Sequence, residues 1–238
     1  MKYFYGVFIP FLLLLASCSG GYPIEDKEDF LTFEAKNGFE MLFDSGAKKA
    51  LHEYYESGTV VINGSYFGQT TSSGYYPAGV WSILGDDFHD DDIDLLDPNL
   101  SHIVLYDHEG GWVLFLDRET PLPECAKRSS GATILCSIFQ AGPLVLSGGI
   151  LESFGDSWHA NGPHERTLIG ITEEGKIYFF LFTEKVTLTE AGEKIREKFP
   201  NENMTLLNLD GGPSTAYFDG REGFGQNKKL PIVFRIHM

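Results

Sequence analysis

The stretch from Met204 to Thr215 constrains this chain more than any other. A short apolar run, Met204 to Leu209, ends on the carboxylate of Asp210, and Gly211, Gly212, Pro213, Ser214 and Thr215 follow at once. A run this short, cut off by turn residues, predicts a buried strand. Gly211 and Gly212 permit a sharp turn and the close approach of another backbone or a ligand. Ser214 and Thr215 set hydroxyls beside backbone N–H groups, and such a turn can form an anion-binding concavity. Asp210 would stand at the strand's mouth, where a carboxylate serves as acid, base or metal ligand. Taken alone, the same residues also describe a plain tight turn whose Asp bonds its own backbone. The rest of the chain has to decide.

The first residues read as a targeting segment. Lys2 gives a positive start, and Phe8 to Ala16 is an apolar run broken only by Pro10, too short to span a membrane. Leu15-Ala16-Ser17-Cys18 looks like a bacterial lipobox. Residues 1–17 are therefore expected to be a lipoprotein signal peptide, with Cys18 lipidated and 18–29 a polar tether. An ordinary secretory leader with an incidental Cys is the other reading. A lipidated Cys18 puts the protein in the bacterial cell envelope, on the membrane through its anchor only, since buried acyl chains gain about 0.8 kcal/mol per CH₂.

Residues 30–238 are long enough for one large domain, and neither a repeat nor a second composition regime divides them. Loss of the leader removes Lys2, leaving 17 basic against 34 acidic side chains, a net charge of −17. So acidic a surface excludes nucleic acid as a partner. It also leaves any anionic ligand dependent on a local cation. Cys125 and Cys136 can bridge in an oxidising compartment, but sequence separation alone does not establish the geometry.

Leu31–Ala35 and Phe39–Phe43 predict two strands joined at Lys36-Asn37-Gly38. Asp44 or Ser45 can cap a helix over Ala47–Glu56, stopped by Gly58. Thr59–Ile62 is a strand, and Asn63-Gly64 after it favours a hairpin turn. Tyr66, Tyr75 and Tyr76, in or beside a Gly- and Ser-rich loop, can stack on a sugar face or simply pack the loop. Asp90, Asp92 and Asp94 have calcium-loop spacing. Leu95 stands where the glycine belongs and Ser101 where the glutamate belongs, so residues 86–97 read as a solvated acidic loop. His89, His102 and His108 lack metal-ligand partners. No metal site or cofactor is predicted, although a divalent cation stays open.

His102–Tyr106 and Gly111–Leu116 predict a hairpin, and Ala132–Phe139 is ambiguous between helix and strand. Gln140 ends that segment and can present its amide to a ligand or bond a turn. Leu168–Ile171 and Ile177–Phe182 are strands. Arg166 enters the first of them, and in so acidic a chain its fork is a candidate phosphate clamp. A surface ion pair with Glu165 is the alternative. Thr187-Leu188-Thr189-Glu190 has capping-box spacing for a helix to about Phe199. Ala216–Phe218 and Ile232–Ile236 are short strands around a mobile-looking loop, Gly220–Lys229. Hairpins with few helices predict an α+β fold, a single domain with a mixed, largely antiparallel sheet and a few flanking helices.

Four separated segments, in order, resemble the phosphodiester glycosidase family. They are Val61–Phe67 with Pro77-Ala78-Gly79, Gln140–Val145 with Gly148, Arg166–Gly170, and Asn208–Ser214. The resemblance spans about residues 59–219. It implies hydrolysis of a sugar-1-phosphate diester on a glycan or envelope glycoside, by a site in which Asp210, Arg166 and His164 act. Asp210 is expected to face the anomeric carbon or its attacking water, Arg166 to hold the phosphate, and His164 to be an acid. Asn63, Asn208 and Gln140 are expected to orient sugar hydroxyls. Gly64, Tyr66, Gly142, Gly211, Gly212, Ser214 and Thr215 complete the expected substrate contacts. A non-catalytic glycan-binding surface lipoprotein is the competing expectation, since aromatic loops on an acidic body suit it as well.

Overall fold

The computed structural model describes residues 29–44, 46–69, 75–77, 81–82, 101–107, 111, 113–117 and 136–238. Cys18, the leader, the acidic loop at 86–97, His89, His108 and Cys125 lie outside them, as does the side chain of Cys136. The chain begins with strands β1 (Leu31–Glu34), β2 (Phe39–Phe43), β3 (Thr59–Asn63), β4 (Phe67–Gln69), β5 (Tyr75–Pro77) and β6 (Trp81–Ser82). Next come β7 (His102–Asp107), β8 (Val113–Asp117), β9 (Cys136–Ala141), β10 (Leu144–Ser147), β11 (Ile150–Leu151) and the single-turn helix α1 (Trp158–Asn161). The last part holds β12 (His164–Thr172), β13 (Ile177–Val186), helix α2 (Leu188–Lys198), β14 (Met204–Asn208), β15 (Tyr217–Phe218), β16 (Gly223–Phe224) and β17 (Ile232–His237).

Three sheets carry the fold. Their orders are β1-β13-β12-β14-β10-β11, β16-β15-β3-β17-β2 and β6-β9-β7-β8, with β4-β5 as a separate hairpin. All pairings among them are antiparallel. The architecture is mostly β, which corrects the expected α+β mixture. α2 is the one helix longer than a single turn among the described residues.

Period-two alternation explains why the six-stranded sheet is buried on both faces. Ile169, Phe179, Leu181 and Leu207 point into a core shared with Val104, Phe139 and Phe234 of the other sheets. Their chain neighbours Leu168, Phe180, Phe182 and Leu206 point the other way, onto Leu188, Ala191 and Ile195 of α2. Burying a phenylalanine such as Phe179 or Phe180 contributes about 2–3 kcal/mol. The capping box holds as expected: Thr187 Oγ1 accepts from Glu190 N–H at 3.1 Å, and Glu190 Oε2 accepts from Thr187 N–H at 2.8 Å.

The predicted helix over 47–56 is only a 3-10 turn, Leu51–Tyr54. Ala47 has a φ of 42°, and the N–H groups of Leu51 and His52 donate to the carbonyls of Lys228 and Gln226. Pairing with that distant segment wins over local helix propensity. Asn63-Gly64 is not a hairpin turn either. β3 runs through Asn63, and Gly64 N–H donates to Ile232 O at 2.9 Å, so the strand continues along β17. The ambiguous segment resolves as β9, and the β7–β8 hairpin forms as expected.

Candidate active site

β12 and β14 pair in the register Leu168↔Asn208, and Leu209 N–H carries the ladder one step further to Thr167 O at 2.8 Å. Carried one residue further, that register would set Arg166 opposite Asp210, beyond the end of β14 at Asn208. There the glycine turn begins. Gly211 N–H donates to Asp210 Oδ1 at 3.0 Å, and the Ser214 side chain also hydrogen-bonds the carboxylate. Gly212 has φ +56°, the left-handed region that glycine enters at least cost. Gly211 is needed for a different reason. A Cβ there would stand 2.7 Å from Glu165 O and 3.6 Å from Arg166 Cα, so only glycine lets the turn lie against β12. The 3-10 turn Gly212–Ser214 is closed by Ser214 N–H to Gly211 O and Thr215 N–H to Gly212 O.

The four sequence segments meet around this turn. Asn63 Nδ2 donates to Asp210 O at 2.6 Å, while its Oδ1 accepts from Thr167 Oγ1 at 2.7 Å and Ala216 N–H at 3.1 Å. The amide expected to face a sugar hydroxyl is therefore committed to the scaffold, where it fixes the Asp210 backbone. Ser65 Oγ donates to Gln140 O, and Gln140 itself is fully buried. Tyr66 Oη donates to Gly142 O at 3.0 Å and accepts from Asn208 Nδ2. Gly142 N–H in turn donates to Asn208 O at 2.9 Å. Gly64 is packed so close to β17 that a Cβ would lie 2.9 Å from Ile232 O. Asn63, Gly64 and Gln140 thus form the wall behind the turn, and Tyr66 with Asn208 links it to the β9–β10 connection.

Electrostatics set the chemistry. Burial raises the Asp210 carboxyl to about 6, against the opposing pull of Ser214, Gly211 N–H and Lys228. Burial also raises the Tyr66 phenol; the Asp210 charge adds to this and the Arg166 charge opposes it. The Tyr66 phenol therefore senses both charges. Arg166 is 5% exposed, which rules out the surface ion pair. Its Nε donates to Val186 O at 3.2 Å and its Nη2 to His159 O and Gly162 O, each at 2.7 Å. Among the described residues it has no carboxylate partner. A buried guanidinium without a counter-charge is costly, and an anionic ligand would relieve that cost. His164 is lowered by burial and then by Arg166, so it is held neutral at pH 7. That environment disfavours the protonated form an acid requires and suits an acceptor or base.

Three buried side-chain atoms lack a hydrogen-bond partner among the described residues: His164 Nε2, Asn208 Oδ1 and Thr215 Oγ1. Each belongs to a segment that meets at the Arg166–Asp210 end of the ladder. Buried polar atoms are nearly always satisfied, so each of these is available to a ligand or water. Among the described residues no group of three or more His, Cys, Asp or Glu side chains is placed to hold a metal.

Two contributors were not foreseen. Thr167 stands just before the predicted strand Leu168–Ile171, within the Arg166–Gly170 segment, but has no predicted role of its own. Lys228 comes from the segment expected to be a mobile loop, yet its Nζ donates to Thr215 O at 2.7 Å. Nothing in sequence order ties it to Asp210.

The chain shares its fold with a solved structure at a TM-score above 0.5. The catalytic domain of zebrafish N-acetylglucosamine-1-phosphodiester alpha-N-acetylglucosaminidase, auto-inhibited by its pro-peptide, superposes with a TM-score of 0.58 at 16% identity, over 88% of this chain and 76% of that one. A hypothetical protein from Synechocystis matches with a TM-score of 0.46 at 13% identity, over 87% and 59%. No curated protein sequence matches. The phosphodiester glycosidase family model matches residues 57–233, a span that holds the whole Asn63–Tyr66, Gln140–Gly142, Arg166 and Asp210–Thr215 constellation. The chain belongs to the phosphodiester glycosidase family.

Proposed function

We propose that this protein hydrolyses a sugar-1-phosphate diester, with Asp210 and Arg166 as its working pair. The observation that carries the reading is the buried guanidinium of Arg166, with no carboxylate ion pair among the described residues, on the strand segment against which the Asp210–Gly211 turn packs. Arg166 would receive the phosphodiester anion, helped by the hydroxyls of the Ser214–Thr215 turn. Asp210 would face the anomeric carbon. The C1–O bond breaks, its electron pair goes to the phosphate oxygen, and a phosphate monoester leaves. Water supplies the new C1–O bond, and its proton passes to Asp210. A phosphate leaves far more readily than an alkoxide, so one carboxylate can serve where ordinary glycosidases use two. Asn208 Oδ1 would bond a sugar hydroxyl. The envelope location rests on the Leu15–Cys18 lipobox, and acyl labelling that disappears in Cys18→Ala tests it.

The enzymatic test is hydrolysis of a panel of sugar-1-phosphate diesters in ¹⁸O-water. The reading expects free sugar carrying ¹⁸O at C1 and an unlabelled phosphate monoester. Label in the phosphate would mean P–O cleavage and overturn the mechanism. Tight binding of the panel without turnover would instead support a glycan-binding lipoprotein.

A further inference from the structure

Lys228 lies outside the four segments that meet at the turn, and the mechanism above gives it no part. Its Nζ donates to Thr215 O at 2.7 Å, so it holds the last residue of the turn that begins at Asp210. The same ammonium stands 5.2 Å above the Phe224 ring, on β16. The segment is folded tightly onto the turn: a Cβ on Gly225 would sit 2.8 Å from Lys228 Cε and 3.2 Å from Ala216 Cβ. Lys228 N–H also donates to Gly225 O at 2.8 Å, which fixes the backbone that delivers the side chain.

We propose that Lys228 is a positioning residue for Asp210, tethering the far end of its turn at Thr215 O and bringing a positive charge to that turn. This deepens the functional reading above and rests on it for the role of Asp210. The charged and titratable groups around the pair come from every element packed there. Lys228 acts on Asp210 from the β16 side, with Glu165 of β12 and Asp210 both holding Lys228 charged against burial. Tyr66, after β3, senses Asp210 and Arg166 together. Burial alone favours a protonated Asp210, which cannot accept a proton. Lys228 opposes that and so widens the pH range in which the carboxylate is ready.

The test is a ¹³C NMR titration of the Asp210 carboxyl in the full chain without substrate, the signal being assigned by its loss in Asp210→Asn. Lys228→Gln keeps a donor for Thr215 O but removes the charge; Lys228→Met removes both; Lys228→Arg keeps both. The midpoint should rise by about half a unit to one unit in the Gln and Met proteins and stay near its wild-type place in the Arg protein. If a diester is turned over, the acidic limb of kcat/KM moves by the same amount. An unmoved midpoint in Lys228→Gln would overturn the proposal. Because the titration needs no substrate, its outcome is separate from whether any diester is hydrolysed.

Discussion

Arg166 stands opposite Asp210 when the β12–β14 register is carried two residues past its last ladder pair, Leu168↔Asn208, where β14 ends and β12 runs on. One is a buried cation and the other a carboxyl that burial pushes up to about 6. Tyr66 lies in the field of both. An antiparallel register therefore joins residues 44 positions apart in the chain.

Activity should follow the ionisation of Asp210. A base or nucleophile must be ionised, so kcat/KM should climb tenfold per pH unit below a limb at about 6 and level off above it. A pH–rate profile checks this, and the limb should vanish in Asp210→Asn.

Stability should move the other way. The Asp210 carboxyl rises from 3.8 unfolded to about 6 folded, so the folded state binds the proton more tightly. That contribution is present below pH 3.8 and is lost as pH rises through 6. At pH 7.5 the folded wild type carries a half-buried charge that Asn lacks. Asp210→Asn should therefore be more stable by about 1–3 kcal/mol at pH 7.5 and nearly equal to wild type at pH 4. Urea melts at the two pH values measure this.

Arg166 has a structural task as well as its proposed ligand. Arg166→Ala would leave the carbonyls of His159, Gly162 and Val186 without their donor. A loss of about 2–4 kcal/mol is expected, together with a fall of about 10²–10³ in turnover. Inorganic phosphate should raise the melting temperature of the wild type and leave Arg166→Ala unmoved, as read by thermal shift.

Gly211→Ala separates site geometry from backbone strain. The Gly211 φ of −141° is open to any residue, so the whole effect comes from the Cβ meeting Glu165 O. Overpacking there should cost about 1–3 kcal/mol and move Asp210 away from Arg166. Turnover should fall further than stability alone explains, which a comparison of kcat with the urea midpoint reveals.

Much of the site was legible because its chemistry is local. The run into Asp210, the two glycines and the lone arginine at a strand entry each carry their own signal. Other parts depended on partners far away in the chain. Ala47–Glu56 has helical periodicity, yet its N–H groups find Lys228 and Gln226 carbonyls instead. Asn63-Gly64 has the composition of a hairpin turn, but Ile232 O takes the Gly64 donor. Asn63 was readable as a polar residue near the site, but not as a brace, because its three partners come from three other places. Lys228 gave no sign at all, since only the folded loop brings it to Thr215.

The most direct measurement is single-turnover hydrolysis of sugar-1-phosphate diesters at pH 7 by the wild type and by a folded Asp210→Asn protein. The account predicts sugar release by the wild type and a loss of about 10³-fold or more in the variant, with diester binding retained through Arg166. Undiminished turnover by Asp210→Asn would contradict it.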